Sequence, residues 1–280
     1  MLEINKLSFP GLGIEPFEVN TVAFEIFGME IAWYALIITF GMIMAVTYTI
    51  FRANKIGVTV DDVIDFVIFV IPIGVLGARL YYVIMEIENY STLAEVFAFR
   101  DGGLAIYGGI IAGTATVFVV CLVKKIYFPA FGDCIVPGLI LAQSIGRWGN
   151  FVNAEAHGGE TDIFIRMGIE QFNGVFEYVH PTFLYESLWN IVGFVAINFF
   201  YKHKKYDGQI ILLVFGWYGL GRMLIEGMRT DSLYLWGTNI RTSQALAALI
   251  LIGCVAALIY FAIKPPKRDL FIKPLEEKGE

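Results

Sequence analysis

The run Gly146-Arg147-Trp148-Gly149-Asn150-Phe151-Val152-Asn153-Ala154-Glu155 holds the densest set of chemically capable side chains in this 280-residue chain. Arg147 offers a guanidinium, and Asn150 and Asn153 offer orienting hydrogen bonds. Gly146 and Gly149 let backbone approach a ligand closely. A capped helix end would explain the glycines but not an arginine beside two asparagines. A second set, Arg222, Glu226 and Arg229, falls at i, i+4 and i+7, so all three share one helical face. That stripe reads as a cation held by its own carboxylate and still able to meet an anion. Several guanidiniums together suit a phosphate, which accepts their two-pronged hydrogen bonds.

The elements that must position these groups are membrane helices. Hydrophobic residues make up 57% of the chain and charged residues 16%, with a mean hydropathy of +0.67. Soluble domains carry roughly 45–50% apolar and about 25% charged residues. A crossing helix needs about 20 mostly apolar residues. Three runs meet this without any charge: Ile31–Phe51, Leu104–Val123 and Thr242–Ile263. Four more meet it with polar interruptions: Val63–Met85, Pro129–Gly149, Thr182–Tyr201 and Gln209–Glu226. Gly132, Pro137, Gly146 and Gly149 weaken the run at Pro129–Gly149. The expected fold is therefore an all-α integral membrane protein, a bundle of about seven transmembrane helices. Residues 1–30 are expected to form an extracytoplasmic segment, 31–263 the membrane domain and 264–280 a cytoplasmic tail. Within the membrane domain, 151–181 forms one long loop. Alternation in Asp162–Met167 and Val175–Val179, around Asn173-Gly174, predicts a small β-hairpin there.

Basic residues near span ends orient such a bundle. With the N-terminus outside and the C-terminus inside, twelve fall on the inner side, from Arg52 and Lys55 to Lys273 and Lys278, against six outside. The in-membrane polar residues then converge on the outer half: Tyr34, Arg79, Tyr82, Tyr107, Arg147, Asn150, His180, Tyr185, Glu186, Arg222, Glu226 and Arg241. Asp65 and Asp133 are the exceptions. Charges at that depth cost several kcal/mol each and persist where they face a cavity and serve a purpose. Otherwise Arg79 and Arg222 snorkel to the interface or staple helices together. The simplest phosphate at that level belongs to a phospholipid headgroup.

Other classes are disfavoured. A net charge of −6 leaves no basic face for nucleic acid. Cys121, Cys134 and Cys254 sit in apolar runs without CxxC spacing, so neither a disulfide framework nor a zinc site is expected. No basic segment precedes a short apolar core near the N-terminus, so the first apolar run is expected to be an uncleaved anchor. A transporter of anionic lipids or metabolites would carry polar residues through the full thickness and repeat symmetry. The nearly bare inner halves count against it.

The sequence resembles the bacterial prolipoprotein diacylglyceryl transferase family. The resemblance rests on the run from Gly146 to Glu155; on His180-Pro181-Thr182-Phe183-Leu184-Tyr185-Glu186; on Asp101-Gly102-Gly103 followed by Tyr107-Gly108-Gly109; and on the Arg222, Glu226, Arg229 stripe. It implies a seven-helix enzyme of the bacterial cytoplasmic membrane. Such an enzyme moves the diacylglyceryl group of phosphatidylglycerol onto the lipobox cysteine thiol of a preprolipoprotein signal peptide. A thioether forms, glycerol phosphate leaves, and no metal or organic cofactor takes part. Matched by motif, the family's functional positions fall on Tyr34, Arg147, Asn150, Gly158, Arg222 and Glu226. Many members carry histidine before the Gly-Gly pair of the span beginning near Leu104; here it is Tyr107. The substrate would bring its own nucleophile, which agrees with the lack of any Ser/His/Asp constellation. Arg147, Arg222 and Tyr107 are the expected catalytic residues. Tyr34, Arg79, Asn150, Asn153, Glu155, Gly158, Glu226 and Arg229 are the expected binding residues. His157 and His180 read as structural or rim residues.

Overall fold

The computed structural model describes residues 4–90, 92–99, 102–171, 173–230, 232, 234, 238–264 and 266. Arg100, Asp101 and, beyond Lys264, all of the expected tail except Pro266 lie outside the described residues. Among the described residues, seven helices are long and apolar enough to cross a bilayer. In chain order the helices are α1 (Trp33–Ala53), α2 (Val60–Met85), the short α3 (Leu93–Val96), α4 (Ile106–Lys124), α5 (Phe128–Val152), α6 (Thr182–Phe200), α7 (Gln209–Glu226) and α8 (Thr242–Ile263).

Local chemistry explains where several of them begin. α2 starts three residues before the expected Val63 because Thr59 and Asp62 form a capping box: the Thr59 hydroxyl accepts from the Asp62 N–H, and the Asp62 carboxylate accepts from the Thr59 N–H, both at 3.2 Å. Lys124, at the end of α4, then pairs with Asp62 and Asp65, each at 2.7 Å. Asp133, the other deep carboxylate, is fully buried.

α5 is helical from Phe128 to Val152 with Pro137 inside it. Glycines along it, Gly146 and Gly149 among them, form a contact surface toward α1. A Cβ at Gly138 would meet the Ala45 carbonyl at 2.9 Å, one at Gly146 the Ile38 side chain at 3.1 Å, and one at Gly149 the Tyr34 ring at 2.6 Å. Gly41 of α1 lies equally close to the Ala142 backbone. In a bilayer, where apolar burial gives helices no reason to associate, such small residues supply close van der Waals packing.

The expected hairpin is present, but its first strand lies further along. β5 (Met167–Glu170) pairs antiparallel with β6 (Phe176–Val179), with Gly174 at φ +75° in the turn. Asp162–Arg166 does not form strand; the Arg166 guanidinium donates to the Asp162 and Ile163 carbonyls there. The helical bundle is as expected, and the N-terminus adds further strands to it. Residues read only as an extracytoplasmic segment form β1 (Ile4–Phe9), β2 (Ile14–Asn20), β3 (Val22–Ile26) and β4 (Met29–Ala32). The order β2-β1-β5-β6 makes a four-stranded sheet, and β3 and β4 form a separate hairpin. Leu7, Met167, Ile169 and Val179 are buried in one apolar cluster with Phe183 at the start of α6, which seats the sheet on that helix end.

The chain divides into two compact units, Met1–Thr47 with Ile135–Arg268, and Tyr48–Cys134 with Asp269–Glu280. Each is described by itself below.

Candidate active site

In the first unit, α5 and α7 bring three guanidiniums onto one carboxylate of α6. Arg147 on α5, Arg222 on α7 and Arg229 just beyond α7 all contact Glu186 in the first turns of α6, at 2.5, 3.1 and 3.4 Å. Arg222 also pairs with Glu226 one helical turn along, at 2.6 Å. Arg241, at the start of α8, donates to the Glu226 backbone carbonyl. Glu186 and Glu226 are almost wholly buried, and the arginine side chains are nearly so. Three guanidiniums against two carboxylates leave a positive charge in excess, and Arg241 adds another. Such a cluster is built to take an anion. Among the described residues, Arg147 also keeps a buried Nε–H without a hydrogen-bond partner.

Arg147 donates to the Asn150 side-chain oxygen at 3.0 Å, and Asn150 in turn donates to Glu155 at 2.8 Å. Asn153 donates to the same carboxylate oxygen at 3.4 Å. Glu155 is therefore solvent-exposed and held by amides, whereas Glu186 is buried and held by arginines. Tyr34 packs its ring on Gly149, which lies between Arg147 and Asn150 in the chain.

Backbone strain is concentrated just past this point. Ala154 and Ala156 both have positive φ, +52° and +56°. Non-glycine residues held there cost on the order of 1–3 kcal/mol each and gather at functional sites. The strained loop is latched on both sides. Gly158 donates to the His180 carbonyl at 2.9 Å, Gly159 to Met228 at 3.0 Å, and the Thr182 hydroxyl to Ala156 at 2.5 Å. A Cβ at Gly158 would strike His180 and Met228, so glycine is needed for the latch to close. His180 meets the Tyr185 hydroxyl at 3.2 Å, and His157 faces the Gly158 carbonyl.

Two features went unread in the sequence. Beneath the arginines lies a second polar layer: Asn190 donates to Gln143 at 3.1 Å, and Ser144 and Ser187 are hydrogen-bonded to each other. Their signal was available, because Gln143, Ser144 and Asn190 sit three or four positions from Arg147 or Glu186 on the same helices and Ser187 directly follows Glu186. A cavity of only about 10 Å³ adjoins Glu186 and Arg222 there, too small for a headgroup. The second feature is a tryptophan clasp. Trp189 and Trp217 stack with ring centres 4.4 Å apart, and each indole N–H donates to the other's backbone carbonyl, at 3.1 and 3.0 Å. A side chain at Gly193 or Gly221 would overlap the facing indole. The clasp fixes α6 against α7 just below Glu186 and Arg222.

Beside the cluster, α1 and α5 border an apolar groove of about 390 Å³, with Trp33, Leu36, Ile37 and Phe40 on one wall and Leu141, Ile145 and Trp148 on the other. With Ser144 completing the second wall, these positions recur at i, i+3, i+4 and i+7 on each helix, so each wall is one helical face.

In the second unit, Arg79, expected among the binding residues, is turned to backbone carbonyls. It is 3% exposed. Its Nε donates to the Val96 carbonyl at 2.8 Å, Nη2 to Glu95 at 2.7 Å, and Nη1 to Gly102 and Gly103 at 2.5 and 3.2 Å. Tyr90 lies 5.3 Å from the guanidinium. With four carbonyls and a ring around it, Arg79 organises the segment between α2 and α4. Gly102 and Gly103, both at positive φ, turn their carbonyls toward it. Tyr107, in the first turn of α4, is 39% exposed.

Among the described residues, seven helices apolar enough to cross a bilayer define a multi-pass membrane protein, and its first unit carries a buried, cation-rich cluster. The family model for prolipoprotein diacylglyceryl transferase matches residues 21–260, and the chain belongs to that family. It is 43% identical over 266 residues to phosphatidylglycerol–prolipoprotein diacylglyceryl transferase 1 of Clostridium perfringens, covering 91% of this chain and all of that one. The corresponding transferase of Clostridioides difficile is 42% identical over 247 residues, covering 88% of this chain and 97% of its own. That of Listeria welshimeri is 39% identical over 280 residues, covering 96% of this chain and all of its own.

Proposed function

We propose that this protein transfers the diacylglyceryl group of phosphatidylglycerol to the cysteine thiol of a prolipoprotein, within a bacterial cytoplasmic membrane. The observation that carries the reading is the excess of buried guanidinium charge around Glu186. In the reaction the cysteine sulfur attacks the glyceryl carbon bonded to the phosphate ester oxygen. The carbon–sulfur bond forms as the carbon–oxygen bond breaks, and glycerol phosphate departs with the electron pair. Negative charge grows on the departing oxygen, and pre-aimed guanidiniums stabilise it without reorganisation. Arg147 and Arg222 serve that role, while Glu186 and Glu226 hold them in place.

A free thiol has a pKa near 8.5, so only about 3% is thiolate at pH 7. The cationic cluster raises that fraction for a cysteine brought beside it. Asn150, Asn153 and Glu155 face solvent at the same end of α5 and suit the peptide side of the reaction. The apolar groove between α1 and α5 suits an acyl chain of the lipid whose headgroup reaches Arg147. The basic-residue bias supports placing the N-terminus and the 151–181 loop outside and the lysine-rich ends in the cytoplasm.

The test uses purified protein in vesicles with a lipobox-type cysteine peptide. The peptide should gain the mass of a diacylglyceryl group in phosphatidylglycerol vesicles. It should not in vesicles of zwitterionic phosphatidylethanolamine alone. Equal transfer from both lipids would remove the phosphatidylglycerol assignment, and transfer from neither would remove the reaction.

A further inference from the structure

The β3–β4 hairpin pairs with no other strand among the described residues. Residues directly opposite each other in an antiparallel pair share a face. The register Phe24↔Ile31 and Ile26↔Met29 therefore makes one face wholly apolar, and Glu25↔Glu30 sets two carboxylates side by side on the other. Like charges placed directly opposite weaken a strand pair, and an isolated two-stranded hairpin is marginal in water. The apolar face gains little cover from the chain: Phe24, Ile26 and Met29 are each close to half exposed.

The tip adds a second observation. Phe27 is 98% exposed and has φ +50°, followed by Gly28 at +76°. Positive φ at both central residues of a two-residue turn favours Asn or Asp followed by Gly. A bulky aromatic in the first of those positions is a steric outlier. The fold thus accepts local strain to hold a bare phenyl ring away from the rest of the chain.

We propose that this hairpin lies on the bilayer surface, with its apolar face and Phe27 at the headgroup–acyl boundary and Glu25 and Glu30 turned to water. Its position in the chain argues for lipid as the partner. β4 ends at Ala32 and the membrane-spanning α1 begins at Trp33, with no connecting residue. The Trp33 N–H donates to the Thr21 carbonyl at 2.9 Å, which ties the hairpin base to the helix start. The apolar face thereby continues the bare apolar surface of α1, where Trp33, Phe40 and Ile43 are exposed. At about 3.3 Å per residue, the four residues of β4 keep the tip within roughly 13 Å of the helix end. Charge sets which face turns down, because an anionic lipid surface repels Glu25 and Glu30. Amphipathic elements bind interfaces by this division of apolar and polar faces. The anchored hairpin holds the outer end of α1, and Tyr34 with it, level with the headgroups.

The experiment places single cysteines at positions 24, 25, 26, 27 and 30 of a chain in which Cys121, Cys134 and Cys254 are replaced by alanine. Each carries an environment-sensitive fluorophore in mixed phosphatidylglycerol–phosphatidylcholine vesicles. Each variant is first checked for monodisperse elution in detergent, since all five positions are exposed and remove no core contact. Labels at 24, 26 and 27 should be several-fold less quenched by aqueous iodide than those at 25 and 30. They should also be quenched by a nitroxide carried at headgroup depth, which those at 25 and 30 escape. In the label at 26, Phe27→Asp should restore much of the iodide quenching. Equal iodide quenching at all five positions would overturn the proposal. So would shielding at 24, 26 and 27 that arises only after a cysteine-bearing signal peptide is added, which would make the hairpin a protein-docking surface.

Discussion

Glu186→Gln takes the negative charge from between three guanidiniums while keeping the side chain's shape. The wild-type contacts are 2.5 Å to Arg147, 3.1 Å to Arg222 and 3.4 Å to Arg229, with Glu186 7% exposed. At such separations one ion pair attracts by about 4 kcal/mol in a medium of effective dielectric ~20, and desolvation offsets much of it. Removing one partner of a buried pair nevertheless costs about 3–5 kcal/mol, because the other charges stay buried and uncompensated. The amide still offers one acceptor oxygen, which places the loss near ~3 kcal/mol. At about 2–4 °C per kcal/mol, the thermal midpoint should fall by roughly 6–12 °C. The assay is thermal unfolding of the detergent-solubilised protein, with and without excess phosphatidylglycerol. An anion at the arginines replaces part of the missing charge, so the lipid should raise the variant's midpoint more than the wild type's. Glu186→Gln combined with Arg229→Gln should be more stable than Glu186→Gln alone, since one stranded cation is gone. An unchanged midpoint in Glu186→Gln, or losses that simply add in the double variant, would refute the view of Glu186 as the anion that balances this cluster.

Four other expectations can be checked alongside it. Arg147→Ala and Arg222→Ala should each lower transfer by at least about 10²–10³-fold with the protein still folded, and lysine should rescue poorly because a point charge cannot copy the guanidinium fork. Tyr107→Phe should slow transfer by about 10- to 150-fold, the equivalent of one hydrogen bond to a charged group at ~1.5–3 kcal/mol, with the pH profile of the rate unchanged. Gly193→Ala drives its new methyl into the Trp217 indole, so transfer per folded enzyme should drop sharply; the same change should cost less in a Trp217→Leu background. In a cysteine-free chain, single cysteines at Lys204 and Gly159 should react with an impermeant thiol reagent from opposite sides of the membrane, and labelling of both from outside would reverse the proposed topology.

Much of the membrane architecture was legible because the bilayer writes it in residue type. Gln209–Glu226 and Thr242–Ile263 coincide with α7 and α8, and the other five spans begin and end within about three residues of their expected positions. The N-terminal strands were not legible. β2 carries Glu15 and Glu18 and β3–β4 carry Glu25 and Glu30, so the segment reads as polar, and β1 finds its partner β5 more than 150 residues away. Within the site, residue type pointed to arginine chemistry, and the stripe of Arg222, Glu226 and Arg229 was visible from helical spacing. Glu186 was legible as a carboxylate at the level of the arginines, but not as the one group all three share, because it lies 36 residues or more from each of them. Arg79 shows the converse limit. Its type and depth left binding and helix stapling open, and its acceptors in the fold are backbone carbonyls, which every residue has and no sequence pattern marks.

The most direct test of the central claim follows both products at once in vesicles of phosphatidylglycerol labelled in its terminal glycerol. The account predicts one glycerol phosphate released for each peptide thioether formed, with neither product from Arg147→Ala and no release without the cysteine peptide. Release of glycerol phosphate at the full rate without peptide, or thioether formation that leaves the label in lipid, would contradict it.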